Sequence, residues 1–311
     1  MNTIEQIIEQ VRPYHIQGKV VDYIPILKNI DLDQVSISII DICKNRFDYG
    51  DIHTPFSIQS ISKVLSFIVA AQAMGLDELI NYVDLEPTGD SFNSIIRLES
   101  STIGKPFNPL INAGAITTAS LLPGYSNSEK IQSVLALIEK LTGEECTINE
   151  AIYQSEEARA YKNRAIAYYL KETGFIKGTP EDALEVYLKL CSVEVTTNIV
   201  AQIGLLLAND GLDPHTNVQV IDLAIVKAVK ALMVTCGMYN YSGKHAALIG
   251  IPSKSGVSGG ILCALRHGTI EGLQGPIGIG IFSPAIDDIG NSIVGIKFLE
   301  ELSKKYNLNM F

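Results

Sequence analysis

The chain has 311 residues, 47% of them hydrophobic and 19% charged, which is enough apolar material for one large domain or two packed lobes and excludes a disordered or fibrous chain. Its 34 acidic and 24 basic residues give a formal charge of -10, which repels phosphate backbones and anionic membrane surfaces, so no nucleic acid and no membrane are expected among its partners. The five cysteines (Cys43, Cys146, Cys191, Cys236 and Cys263) are scattered without a C-x-x-C pair, as in a reduced protein lacking structural zinc.

The amino end, MNTIEQIIEQVRPYH, lacks the basic start and apolar core of a secretory signal, so a cytoplasmic location is expected. Ile4 to Val11 has amphipathic helical spacing, and VSISIIDI at 35 to 42 reads as a strand that runs through a polar turn, Lys44 to Gly50, toward a second strand. From Ser60 the spacing turns helical: SISKVLSFIVAAQAM stops at Gly75, and NAGAITTASLL forms another short apolar helix. Ser126 with Glu129, and Thr179 with Pro180 and Asp182, mark further helix starts, and long helical patterns follow at 196 to 209 and 220 to 234. After about residue 245 short apolar runs return as AALIGIP, GGILCAL and PIGIGIF, and an amphipathic helix at roughly 288 to 304 closes the chain. The expected fold class is therefore α/β of the α+β kind. An antiparallel sheet lobe from both termini (about 1–59 and 245–311) holds an inserted all-helical lobe (60–244), with any cleft between the lobes.

Three stretches carry chemistry. Ser60-Ile61-Ser62-Lys63 matches S-x-x-K, in which a lysine one helical turn away takes the proton of a serine nucleophile. The same four residues also read as a serine cap followed by a lysine whose stem lies along the surface. Lys254-Ser255-Gly256, leading into Val257-Ser258-Gly259-Gly260, resembles the K-[ST]-G element that follows S-x-x-K in penicillin-recognising enzymes; glycine there lets backbone N–H groups approach an oxyanion. Tyr239 in CGMYNYSG offers a phenol for proton transfer, or a packed ring with one hydrogen bond.

The segments DYIPIL (22 to 27), FSIQSISK (56 to 63), KPFNPLINAGAI (105 to 116), YKNRAIAYYL (161 to 170), LCSVEVT (190 to 196), TCGMY (235 to 239) and PSKSGVSGGI (252 to 261) together resemble the serine-dependent glutaminase family, in its compact bacterial form. The resemblance runs in order from about residue 19 to about 300. It implies a fold similar to the class A β-lactamases and penicillin-binding proteins, hydrolysis of L-glutamine to glutamate and ammonia, no metal or organic cofactor, and assembly as a homodimer or homotetramer. It further implies Ser60 as nucleophile, Lys63 as its base, Tyr239 as proton relay, and an oxyanion hole from the backbone N–H groups of Ser60 and Val257. Tyr23, Asn112, Glu156, Asn163 and Tyr187 fall on positions that hold the substrate's α-amino and α-carboxylate groups. Glu156 suits the ammonium. Seven residues, two helical turns, separate it from Asn163, so an unbroken helix would present both on one face.

The S-D-N element of the penicillin-recognising enzymes is missing as written, although Ser91 to Asn93 and Tyr125 to Asn127 match it loosely. A β-lactamase or D-Ala-D-Ala peptidase is thus the enzymatic rival, and a catalytically silent amino-acid sensor the rival of another class.

Overall fold

The computed structural model describes residues 3–21, 30–100, 103–214 and 216–311. Nine strands occur among them: β1 Ser36–Asp41, β2 Arg46–Tyr49, β3 Phe56–Ser57, β4 Glu194–Val195, β5 Ser253–Ser255, β6 Gly260–Leu265, β7 Thr269–Ile270, β8 Leu273–Gln274 and β9 Ile277–Phe282. Five form one antiparallel sheet in the order β2-β1-β9-β6-β5, so strands from both ends of the sequence interleave.

Strand alternation gives this sheet two different faces. On one, Ile37, Ile281 and Ile261 align across β1, β9 and β6, and Ile39, Ile279 and Cys263 form the next row. That face joins a core with Ile4, Ile7 and Ile8 of the N-terminal helix Thr3–Val11 and with Val294, Phe298 and Leu302 of the C-terminal helix Ile293–Tyr306. The opposite face carries Gly278 and Gly280 of β9, and the helix Thr197–Ala208 lies directly on them. A Cβ added to Gly278 would sit 1.9 Å from the Ala201 carbonyl oxygen, and one on Gly280 2.1 Å from that of Thr197. The alternating glycines of PIGIGIF are thus what lets helix backbone rest against strand backbone. Beyond this helix lies the second and larger core, built by the helices between Ser62 and Cys236.

The helix starts legible in the sequence are present. Ser126 and Glu129 form a reciprocal capping box ahead of Asn127–Thr142, and the Thr179 side chain accepts from Asp182 N–H ahead of Pro180–Cys191. Three expectations change. The stretch taken as a turn from Lys44 to Gly50 contains β2, whose pairing with β1 leaves only Ile42 to Asn45 to make the reversal. AALIGIP is not a strand: Ser242–Leu248 is a short helix, and Ile249 and Gly250 N–H both close on the His245 carbonyl. The last helix begins at Ile293, because Asp287 Oδ1 accepts the N–H groups of Ile289, Gly290 and Asn291 in a preceding turn.

Candidate active site

β3 and β4 pair as Phe56↔Val195 and Ser57↔Glu194, and Ile58 N–H donates to the Val193 carbonyl. This anchors the chain just before Ser60. Gln59 then takes a left-handed φ of 48°, a conformation rare for a residue with a side chain. In consequence Ser60 stands on a 3-10 turn, Gln59–Ile61, and the α-helix proper runs Ser62–Met74. The expected nucleophile at a helix start is therefore offset: the serine sits on a tight bend ahead of the helix, with Lys63 in the helix's first turn.

Lys63 is 1% exposed; its ammonium donates to Asn112 Oδ1 at 2.7 Å and to the Leu110 carbonyl at 3.2 Å. Burial lowers its pKa to about 8, with Cys191 and Glu156 pulling the other way. The surface-lysine reading of the motif is thereby excluded. Tyr239 stands beside Ser60, and its hydroxyl donates to the Ser255 carbonyl at 3.2 Å. Burial raises the Tyr239 pKa well above that of a free phenol, so the hydroxyl stays protonated. Tyr239 has a left-handed φ of 52°, held by Ser242 Oγ, which accepts from Met238 N–H and donates to the Tyr239 carbonyl.

A pocket of about 210 Å³ opens beside Ser60. Of the residues expected to bind substrate, Asn112, Glu156, Asn163, Tyr187 and Val257 line it. Tyr23 lies outside the described residues. Asn112 is the hub: its Oδ1 accepts from Lys63 and, at 3.3 Å, from the Tyr187 hydroxyl, while its Nδ2 donates to Asn163 Oδ1 at 2.9 Å. Glu156 and Asn163 are not on one unbroken helix. Glu150–Glu157 ends in a tightened turn before Tyr161–Glu172 begins, yet both side chains reach the pocket. Burial raises the Glu156 carboxyl to about pH 7, opposed by the Gln59 amide and by Lys63.

Val257 follows Gly256 in a turn where Gly256 N–H donates to the Gly260 carbonyl and Gly259 N–H to that of Gly256. A Cβ on Gly256 would come within 2.9 Å of the Ile58 carbonyl oxygen, so glycine lets this turn close on the serine bend. The Val257 N–H donates to no backbone carbonyl among the described residues. Of the loose S-D-N matches, Tyr125 is fully exposed beside a helix cap, whereas Asn93 lines the pocket.

The pocket also holds Gln59, Phe92 and Arg159, which the sequence reading did not select. Gln59 Nε2 donates to Glu156 Oε1 at 2.6 Å, and the Phe92 ring tilts against Tyr239 at 4.9 Å. Arg159, three residues after Glu156, had a readable signal in its spacing. Gln59 and Phe92 had none, since both owe their place to tertiary contacts.

The family model described as Glutaminase matches residues 18–311. The chain is 50% identical over 310 residues to glutaminase 2 of Bacillus anthracis, covering 99% of this chain and 95% of that protein. It is 47% identical over 306 residues to glutaminase 1 of Bacillus subtilis (strain 168), covering 98% and 94%. Among solved structures, a probable glutaminase of Bacillus subtilis aligns with a TM-score of 0.92 at 45% identity, covering 99% of this chain and 96% of that one. A structure of the probable Bacillus subtilis glutaminase complexed with 6-diazo-5-oxo-L-norleucine aligns with a TM-score of 0.90 at 42% identity, covering 99% and 96%.

Proposed function

This chain belongs to the glutaminase family and is a glutaminase with that family's β-lactamase-like fold, and from that premise we propose that it hydrolyses L-glutamine through a γ-glutamyl ester on Ser60. The observation that carries the reading is the joining of three groups: Ser60 beside the Tyr239 phenol and on the edge of the pocket, the buried Lys63 amine bonded to Asn112, and the pocket lined by Glu156. The substrate ammonium pairs with Glu156, and its carboxylate with the amides and phenol of Asn163 and Tyr187.

Neutral Lys63 takes the Ser60 proton as Oγ bonds to the carboxamide carbon, and the oxyanion is held by the N–H groups of Ser60 and Val257. The C–N bond then breaks. Tyr239 gives the leaving nitrogen its proton and recovers one from Lys63, so ammonia departs and the ester remains. Water cleaves the ester with Lys63 again as base, releasing glutamate and the serine. A covalent complex with 5-oxo-L-norleucine formed by the Bacillus subtilis relative supports a covalent route. Among the described residues no group of three His, Cys, Asp or Glu is placed to hold a metal ion. The reading takes residues 1–311 as one glutaminase domain and the working form as a cytoplasmic homo-oligomer, a dimer or tetramer, which sedimentation would resolve.

The test is ammonia release from L-glutamine, with L-asparagine as control substrate, in the parent and Ser60→Ala. We expect activity in the parent and a loss of at least about a thousandfold in the variant, as for removal of an acylating nucleophile. Activity that survives in Ser60→Ala would overturn the ester mechanism. Nitrocefin turnover by the parent would favour the penicillin-recognising rival instead.

A further inference from the structure

Arg159 stands in the turn that closes the helix Glu150–Glu157, where its N–H donates to the Glu156 carbonyl at 3.0 Å, and its exposed side chain lines the pocket beside Ser60. Among the described residues its guanidinium makes no hydrogen bond or ion pair. The other charged groups lining the pocket are committed: Lys162 Nζ donates to Asn93 Oδ1 at 3.1 Å, and Glu156 Oε1 accepts from Gln59 Nε2 at 2.6 Å. So are several of its neutral donors. The one hydrogen of the Tyr187 phenol points at Asn112 Oδ1 at 3.3 Å, and Asn112 Nδ2 gives one of its two hydrogens to Asn163 Oδ1. Of these amides and the phenol, only the second hydrogen of Asn112 and the amide hydrogens of Asn163 remain for a carboxylate, and neither side chain carries charge.

We propose that Arg159 is a specificity-determining residue for the glutaminase reaction: it receives the substrate's α-carboxylate, so the site selects free L-glutamine over glutamine whose carboxyl group is blocked as an amide or in a peptide. The inference rests on the assignment of Glu156 to the substrate ammonium. Ammonium and carboxylate sit on one carbon, so the partner of the carboxylate must lie beside Glu156, and Arg159 follows it within one turn. The planar fork of a guanidinium matches the two oxygens of a carboxylate. A chain with a formal charge of -10 repels an anionic group unless a local cation offsets it. Because Gln59 holds Glu156, the two opposite charges of this turn are not spent on each other, and each is left for one end of a zwitterion. A cation at the C-terminal end of Glu150–Glu157 also suits the helix dipole, a role that would show in stability and not in substrate choice.

Arg159→Gln removes the charge at an exposed turn position and keeps a polar side chain, so folding is not at stake. The test compares L-glutamine with L-glutaminamide, its α-carboxamide, by chromatography of the product that carries the new γ-carboxylate. In the parent, kcat/KM should be at least about tenfold higher for L-glutamine. Arg159→Gln should raise KM for L-glutamine about tenfold with kcat changed less than twofold, because the contact is the same in the ground and transition states. On L-glutaminamide the same substitution should change kcat/KM less than about twofold, so the parent's preference is largely lost. Arg159→Lys keeps the charge without the fork and should fall between the parent and the Gln variant. A preference that persists in Arg159→Gln, or an equal loss on both substrates, overturns the proposal and leaves the ester mechanism standing. If the parent takes both substrates equally well, the carboxylate is not read at all, and the assignment of the amino-acid end fails together with this inference.

Discussion

Glu156 lines the pocket beside Ser60 and Lys63 is buried behind it on Asn112, and their ionisations are displaced toward neutrality from opposite directions. Burial pushes the carboxyl up to about 7 and the amine down to about 8, and each opposes the displacement of the other. Binding an ammonium needs Glu156 ionised, and accepting the Ser60 proton needs Lys63 neutral, so both productive forms are the deprotonated ones. kcat/KM should therefore climb with pH between about 7 and 8 and flatten above, the two steps belonging to the coupled pair rather than to either residue. Glu156→Gln removes the anionic partner of the ammonium and should raise KM about tenfold or more, with a smaller effect on kcat. It also removes a charge that holds the Lys63 pKa up, so the remaining step in the pH profile moves down in pH. A variant profile that superimposes on the parent's would remove Glu156 from the ligand set. At this scale the sequence was informative where chemistry is local. Ser60 and Lys63 stand out through a four-residue pattern that a serine cap with a surface lysine also fits, and their roles, like those of their neighbours, come from family resemblance. Gln59 was not legible, because its role arises from a left-handed backbone and from a partner 97 positions away in sequence.

The sheet and the helix Thr197–Ala208 meet through glycine, which fixes how deep the central layer sits and so where β5 and the Gly256–Val257 turn of the proposed oxyanion hole stand. Gly204 of that helix is equally close-packed: a Cβ there would lie 2.3 Å from the Cys263 carbonyl oxygen. Because the clash at Gly278 is with backbone, rotamer changes cannot relieve it, and Gly278→Ala should cost about 3 kcal/mol or more. Thermal unfolding of Gly278→Ala measures this. A melting temperature within a degree or two of the parent would mean that helix and sheet slide apart at little cost. PIGIGIF was readable as a strand because its glycines and isoleucines alternate in period two, and GGILCAL because it is a short apolar run opened by glycine. The second strand of the first hairpin was expected too late: β2 is a four-residue edge strand, RFDY, whose outward Arg46 and Asp48 bond each other and mimic turn composition. AALIGIP was misread because a run buried on all sides has no period with which to separate a helix end from a strand.

Both termini contribute to one core behind the sheet, and the helices between Ser62 and Cys236 build the other in front, so the proposed catalytic groups sit where the two meet. Ser60 and Lys63 lead into the helical part, while Lys254, Val257 and the turn between them belong to the sheet. The expected boundaries at 60 and 244 need one amendment, which we propose: Thr197–Ala208 lies within the insertion by sequence and belongs to the sheet layer by packing. The N-terminal helix Thr3–Val11 precedes the family match that begins at residue 18, yet Ile8 is 0% exposed and packs in the core with the C-terminal helix and with Ile261 and Ile281 of the sheet. This helix therefore supports the sheet and lines no part of the pocket. Ile8→Ala should cost about 2–5 kcal/mol in unfolding, with kcat and KM close to the parent's at 25 °C. Loss of activity and loss of structure on heating should shift together by the same number of degrees, because β9 and β6 sit between this core and the helices that carry Ser60 and Lys63. If Ile8→Ala melted in two steps, with activity outlasting the first, the terminal helices would form a separate cooperative unit and the catalytic seam would not depend on them.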